Sequence, residues 1–167
     1  MNNLNENNLD KHSNDMRVFA ENEAFVSWLG TFLVVRRATH ESEINILYYV
    51  ALVEKIKSNA LFTIIIKESL LLMQKLLMSE LPFGASDRQI VKNLGFWIGV
   101  FTLARGKSIP AKYLSLKALI VKSYPARSDL VVSIVFNILR GAKDSKVFSP
   151  SSNRWVRRIC SLLEELK

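Results

Sequence analysis

From about residue 22 onward, apolar side chains recur at helical spacing in almost every segment of the chain, and this feature narrows the fold most. A stripe with a 3.6-residue period is useful only if another element covers it, so a succession of such stripes demands a stack of helices. The punctuation agrees. Only 6 Gly and 4 Pro occur among 167 residues, too few for the many turns of a sandwich or barrel.

The segments can be placed by their stripes and breaks. A first helix is expected over 22–37, with Phe25, Trp28, Leu29, Phe32 and Val35 on its core face. A second spans 42–57, carrying Ile44, Leu47, Tyr48, Ala51 and Leu52. The third, 59–79, contains Ile64-Ile65-Ile66, which could suggest a strand; its length and Leu, Met, Gln, Lys and Glu content decide for helix. Pro82 and Gly84 mark the clearest break. Ser86-Asp87-Arg88-Gln89 then reads as a capping box opening a fourth helix to about residue 105, with Ile90, Leu94, Trp97, Ile98 and Phe101 on one face and Gly106 as the residue after its end. A short fifth helix near 115–123 stops at Tyr124-Pro125. Ser128 can cap a sixth over 129–140, closed by Gly141. Asn153 can cap a seventh, with Trp155, Ile159, Leu162, Leu163 and Leu166 in a stripe. Residues 1–16 are Asn-rich without periodicity and are expected to be a disordered tail, leaving 17–167 as a single domain. The expected class is all-α, about seven antiparallel helices; periodicity alone leaves bundle and repeat array both open.

Charge is uneven. Residues 1–83 hold 8 basic and 10 acidic side chains, whereas 84–167 hold 15 and 5. The basic half would suit an acidic protein face or nucleic acid. A nucleic-acid platform needs exposed aromatics among the cations, and here the aromatics fall on the apolar stripes, so direct RNA binding is expected to be weak or absent. A basic helical RNA-binding module is the alternative reading. The longest uncharged runs, 24–35 and 93–104, have 12 residues each, against roughly 18 or more for a membrane span. No membrane association is expected, and a soluble intracellular protein is.

Reactive chemistry is absent from the pattern. There is no phosphate-binding loop, nucleophile elbow or CxxC pair. The two histidines, His12 and His40, and the single Cys160 cannot assemble a zinc site. No cofactor, metal or catalytic residue is expected, and Cys160 reads as an inert thiol on an apolar helix. Gly95 and Gly99, four apart in the fourth helix, each cost about 1 kcal/mol relative to Ala. Their recurrence on one face implies a close backbone, either a neighbouring helix of the same domain or a dimer face. Arg36 and Arg37 end the first helix, where cations suit the dipole.

The run Val91-Lys92-Asn93-Leu94-Gly95-Phe96-Trp97-Ile98-Gly99, continued by Thr102-Leu103-Ala104 and by Lys107 and Ile109, resembles the central domain of the large NOT scaffold subunit of the eukaryotic CCR–NOT mRNA deadenylase complex. Ser86-Asp87-Arg88, Leu33-Val34-Val35-Arg36-Arg37 with Glu41, Leu47-Tyr48, Val147-Phe148, Pro150, Asn153 and Trp155 are also similar, so that the resemblance covers about residues 22–167. It implies a HEAT-like helical-repeat array, similar to the middle domain of translation initiation factor four-G, with no enzymatic activity. It further implies docking of a Caf-one-type deadenylase, which carries the second deadenylase with it, and of a DEAD-box RNA helicase, in the cytoplasm and also the nucleus. By the resemblance, Arg36, Arg37 and Glu41 match helicase-facing positions. Phe83, Asp87, Arg88 and Lys92 are candidates for the deadenylase surface, and Asn93, Gly95, Trp97 and Gly99 form the structural motif. The family's Pro after Lys107 is Ser108 here. Its domain has about ten helices against the seven read here, so a fragment or a reduced homologue is expected.

Overall fold

The computed structural model describes residues 4–79, 84–123 and 128–165. These residues form eight α-helices and no strand: α1 (Glu6–Arg17), α2 (Glu23–Phe32), α3 (Glu43–Ile56), α4 (Asn59–Leu77), α5 (Ala85–Phe101), α6 (Leu116–Ser123), α7 (Ser128–Gly141) and α8 (Arg154–Glu164). A π-helical turn, Leu33–Ala38, extends α2, and a 3₁₀ turn, Leu103–Arg105, follows α5. No described helix is long and apolar enough to cross a membrane. The chain divides into two compact units, 1–69 and 70–167, with α4 contributing to both.

Residues 1–16 are the first correction. A helix occupies most of what reads as a disordered tail. Asn5 starts it, its side-chain oxygen accepting from the Asn7 N–H at 3.0 Å while its own N–H donates to Asn8 Oδ1 at 2.8 Å. Two of the asparagines that look like disorder, Asn5 and Asn8, thus form the cap. Leu4, Leu9 and the small Ser13 are buried, and α1 packs on α3. Asp10 pairs with Lys55 at 2.6 Å, and the Arg17 guanidinium donates to the Lys55 carbonyl. Two leucines are too few to register as a stripe, but they suffice because α3 supplies most of the apolar area.

The core faces of α2 and α3 also differ from those expected. On α2 and its π turn the buried residues are Val26, Leu29, Gly30, Leu33, Val34 and Ala38. On α3 they are Ile46, Tyr49, Val50, Leu52, Val53 and Ile56, while Ile44 and Leu47 are exposed. Both helices are apolar over much of their circumference, so periodicity alone left the inward side ambiguous. Gly30 decides it for α2: a Cβ there would lie 2.5 Å from Ile64 Cγ2 on α4.

In the second unit, α5 and α7 approach through glycine. A Cβ on Gly95 would lie 3.1 Å from the Ile134 carbonyl oxygen, one on Gly99 would collide with the Ile138 carbonyl, and one on Gly141 would lie 2.5 Å from the Phe96 carbonyl. The contacts advance together along both helices, so the two run in the same direction. Trp97 and Phe101 fill the space beside this seam, both fully buried, with ring centroids 4.5 Å apart. Gly106, at φ 68°, ends the 3₁₀ turn as expected of a left-handed closing residue. The loop after α7 is tied back to it: Ser145 Oγ donates to the Leu103 carbonyl at 2.8 Å and accepts from the Phe148 N–H at 3.0 Å. Within the units α1 packs on α3, α5 on α7, and α6 on both α7 and α8, which is compatible with a helical-repeat arrangement.

Two further expectations shift. The cap of α5 is Gly84, whose N–H donates to Asp87 Oδ2 at 3.0 Å; the anticipated Ser86 lies inside the helix. Trp155, expected in the core, is 36% exposed, because α8 turns Val156 and Ile159 inward instead. Leu166 lies outside the described residues.

Gly99→Ala is expected to lower stability by about 1–3 kcal/mol through overpacking against a backbone that cannot yield; an unchanged or raised thermal midpoint would contradict the close approach. Leu9→Ala should cost about 2 kcal/mol and speed amide exchange in α1, whereas a disordered tail would show neither effect.

Candidate interaction surface

The second apolar side of α2 is only partly covered: Trp28 is exposed, and Phe25 and Phe32 are half-buried. Phe25, Trp28 and Phe32 recur there at i, i+3 and i+7, and Phe19 joins them from the turn before Asn22 caps the helix. The rings form a ladder: Phe19 to Phe25 at 5.3 Å, Phe25 to Trp28 at 6.0 Å, and Trp28 stacked on Phe32 at 5.4 Å. Phe19 is 53% and Trp28 56% exposed. Val18 and Val35 add further exposed apolar area. A contiguous aromatic strip of this kind is the usual make-up of a protein contact surface.

The ladder ends on a charged clamp. The π-helical turn widens the last turn of α2 and carries Arg36 and Arg37. The Arg37 guanidinium lies 5.3 Å from the Phe32 ring centroid and 5.8 Å from that of Tyr49. Its Nη1 donates to Glu41 Oε1 at 3.0 Å, while Glu41 Oε2 accepts from Asn45 Nδ2 at 2.9 Å. The Arg37 and Glu41 side chains are only 17% and 19% exposed. Arg37 is therefore a packed, stacked part of the surface, and Arg36 is the exposed cation beside it. Burial pushes the Tyr49 phenol above its ordinary value, with Arg37 pulling it down and Glu41 pushing it up. Thr39 closes the turn by donating to the Val35 carbonyl at 2.8 Å.

The residues proposed for the deadenylase surface fare differently. Phe83 lies outside the described residues. Asp87 is engaged at the start of α5, as above, so its carboxylate has a structural task. Arg88 and Lys92 are exposed one turn apart on α5. Asn93 accepts from Gln89 Nε2 at 2.7 Å, whereas Gly95, Trp97 and Gly99 belong to the packing seam. Phe19, Phe25, Trp28 and Phe32 were missed as surface residues. Gly30 was the available signal, since a close-packed glycine fixes which side of α2 faces in.

The described residues include no group of three or more His, Cys, Asp or Glu side chains that could hold a metal ion. The Cys160 thiol is pushed above its ordinary value, mainly by burial and then by Glu164. That is opposite to the shift an activated nucleophile needs.

Arg37→Ala should lower stability by about 1–2 kcal/mol, because it unpairs Glu41 and uncovers Phe32 and Tyr49. Arg36→Ala should change it by less than about 0.5 kcal/mol. Chemical denaturation of the two variants checks the contrast.

An aromatic ladder that ends on a packed charged clamp is the usual make-up of a protein contact surface. Comparison with known proteins gives the same result. The whole chain, residues 1–167, matches the family described as the CCR4-NOT transcription complex subunit 1 CAF1-binding domain. It is 31% identical to the CCR4-NOT transcription complex subunit let-711 of Caenorhabditis elegans, over 99% of this chain and 6% of that protein. It is 30% identical to the general negative regulator of transcription subunit 1 of Schizosaccharomyces pombe, over 99% of this chain and 8% of that protein. The Saccharomyces cerevisiae protein of the same description is 34% identical over 85% of this chain and 7% of its own length. The chain thus spans under a tenth of the curated relatives it matches. It belongs to the CAF1-binding domain family of CCR4-NOT subunit 1, a family of non-catalytic interaction domains.

Proposed function

We propose that this domain is a rigid docking platform for a CAF1-type deadenylase, serving poly(A) shortening, translational repression and mRNA decay without performing chemistry itself. The observation that carries the proposal is the match of the full chain to a family defined by CAF1 binding. A second deadenylase would arrive indirectly, through the first. The same reading puts the domain in the cytoplasm and also in the nucleus.

The second partner in this reading is a DEAD-box RNA helicase, received at Arg36, Arg37 and Glu41. The support is physical. Phe32, Arg37 and Glu41 are held by stacking and hydrogen bonds before any partner arrives, so little side-chain entropy is lost on docking. The adjacent Trp28 supplies a large aromatic contact of the kind that dominates binding energy. Arg88 and Lys92 on α5 are the candidates for contact with the deadenylase.

Calorimetric titration of the chain with each recombinant partner tests the reading. Wild type should bind both. Arg36→Glu, which leaves the packed clamp untouched, should weaken the helicase about tenfold or more and leave the deadenylase unaffected. Arg88→Glu with Lys92→Glu should do the reverse. Failure of wild type to bind the deadenylase would overturn the platform reading, and unchanged helicase affinity in Arg36→Glu would overturn the assignment of its site.

A further inference from the structure

A separate feature lies in the second unit. A groove of about 650 Å³ runs along α8 beside Lys117 of α6. Its floor is apolar, made by Trp155, Ile159 and Leu162. Its rim is basic: Lys117, Arg154, Arg157 and Arg158, against the single acid Glu165 at the far end. Trp155 is held rather than loose, with Phe148 edge-on at 6.2 Å. The Arg157 Nη1 donates to the Ser151 carbonyl at 3.2 Å, which fixes its guanidinium at the start of the helix. The Arg37–Glu41 and Asp10–Lys55 ion pairs involve none of the four rim cations.

We propose that this groove docks an amphipathic helix of a partner protein whose apolar stripe is flanked by Asp and Glu. Charge complementarity selects the acidic flank. The cations gather at the first turns of α8, where the helix dipole adds positive potential, and Glu165 disfavours acid at the other end. The bound helix therefore places its acidic end over Arg154 and Arg158. Length selects a helix. The 11 residues of α8 extend about 16 Å, or three helical turns, and an apolar floor with a polar rim is the usual receptor for such a segment. The floor argues against nucleic acid, which would stack on several aromatic faces. Here one indole lies among aliphatic side chains. None of the groove's lining residues is among those assigned above to the deadenylase or the helicase.

The test uses three fluorescent probes in anisotropy titrations against the full chain: a designed peptide of about 16 residues with a Leu stripe and Glu flanks, the same stripe with Lys flanks, and a single-stranded oligouridine. The Glu-flanked peptide should bind, at least about tenfold more tightly than either alternative, and its affinity should fall with salt. The Arg154→Glu, Arg158→Glu double variant should weaken it about tenfold or more with an unchanged circular dichroism spectrum, and saturating deadenylase should not displace it. No binding of the Glu-flanked peptide, equal binding of both peptides, tighter binding of the RNA, or indifference to the double variant would overturn the proposal. So would a concentration-dependent dimer that the double variant abolishes, since the groove would then belong to a second copy. Apart from the competition arm, none of these outcomes depends on whether the deadenylase binds.

Discussion

The second unit is organised by the distance between two backbones. Gly95 and Gly99 on α5 and Gly141 on α7 remove the side chains that would hold the helices apart, and carbonyl groups of one helix lie where a Cβ of the other would be. Each glycine costs helix propensity of about 1 kcal/mol, which close van der Waals contact and the burial of Trp97 and Phe101 offset. The loop clasped by Ser145 follows from where α7 ends. A rigid element of this kind suits a docking domain, since a surface that is already ordered loses little entropy on binding.

In the first unit the corresponding constraint is the π-helical turn. It lets α2 bury Leu33, Val34 and Ala38 while Arg37 stays stacked between Phe32 and Tyr49. The pairing with Glu41 and the support from Asn45 then fix a charged group at the end of an exposed aromatic strip. Partial burial makes such a pair stronger than a solvated one and also harder to remove without local damage. Hence the exposed Arg36 is the better probe of binding, and Arg37 the better probe of folding.

Much of the architecture was legible in the sequence. The all-helical class, the break near Gly84 and the close approach at Gly95 and Gly99 followed from spacing and from the costs of glycine. The resemblance in residues 91–109 identified the family that the comparisons establish. What periodicity could not give was the inward side of α2 and α3, because those helices are apolar on more than one face and only their neighbours decide. Nor could it find α1, which Asn5 and Asn8 cap and whose few buried residues depend on α3. Trp155 reads as core by its stripe, but a one-residue shift in the buried face of α8 leaves it half out. The candidate surface was half legible: Arg37 and Glu41 came from the resemblance, while the ladder of Phe19, Phe25, Trp28 and Phe32 emerged only once the packing of Gly30 was known.

The central claim is that a preformed helical domain receives a CAF1-type deadenylase without rearranging its interior. Hydrogen–deuterium exchange of the chain, alone and saturated with recombinant deadenylase, tests it most directly. The account predicts slowed exchange confined to surface segments, with the buried amides of α5 and α7 along the glycine seam unchanged. No protection at saturating deadenylase, or a change centred on the α5–α7 seam, would contradict it.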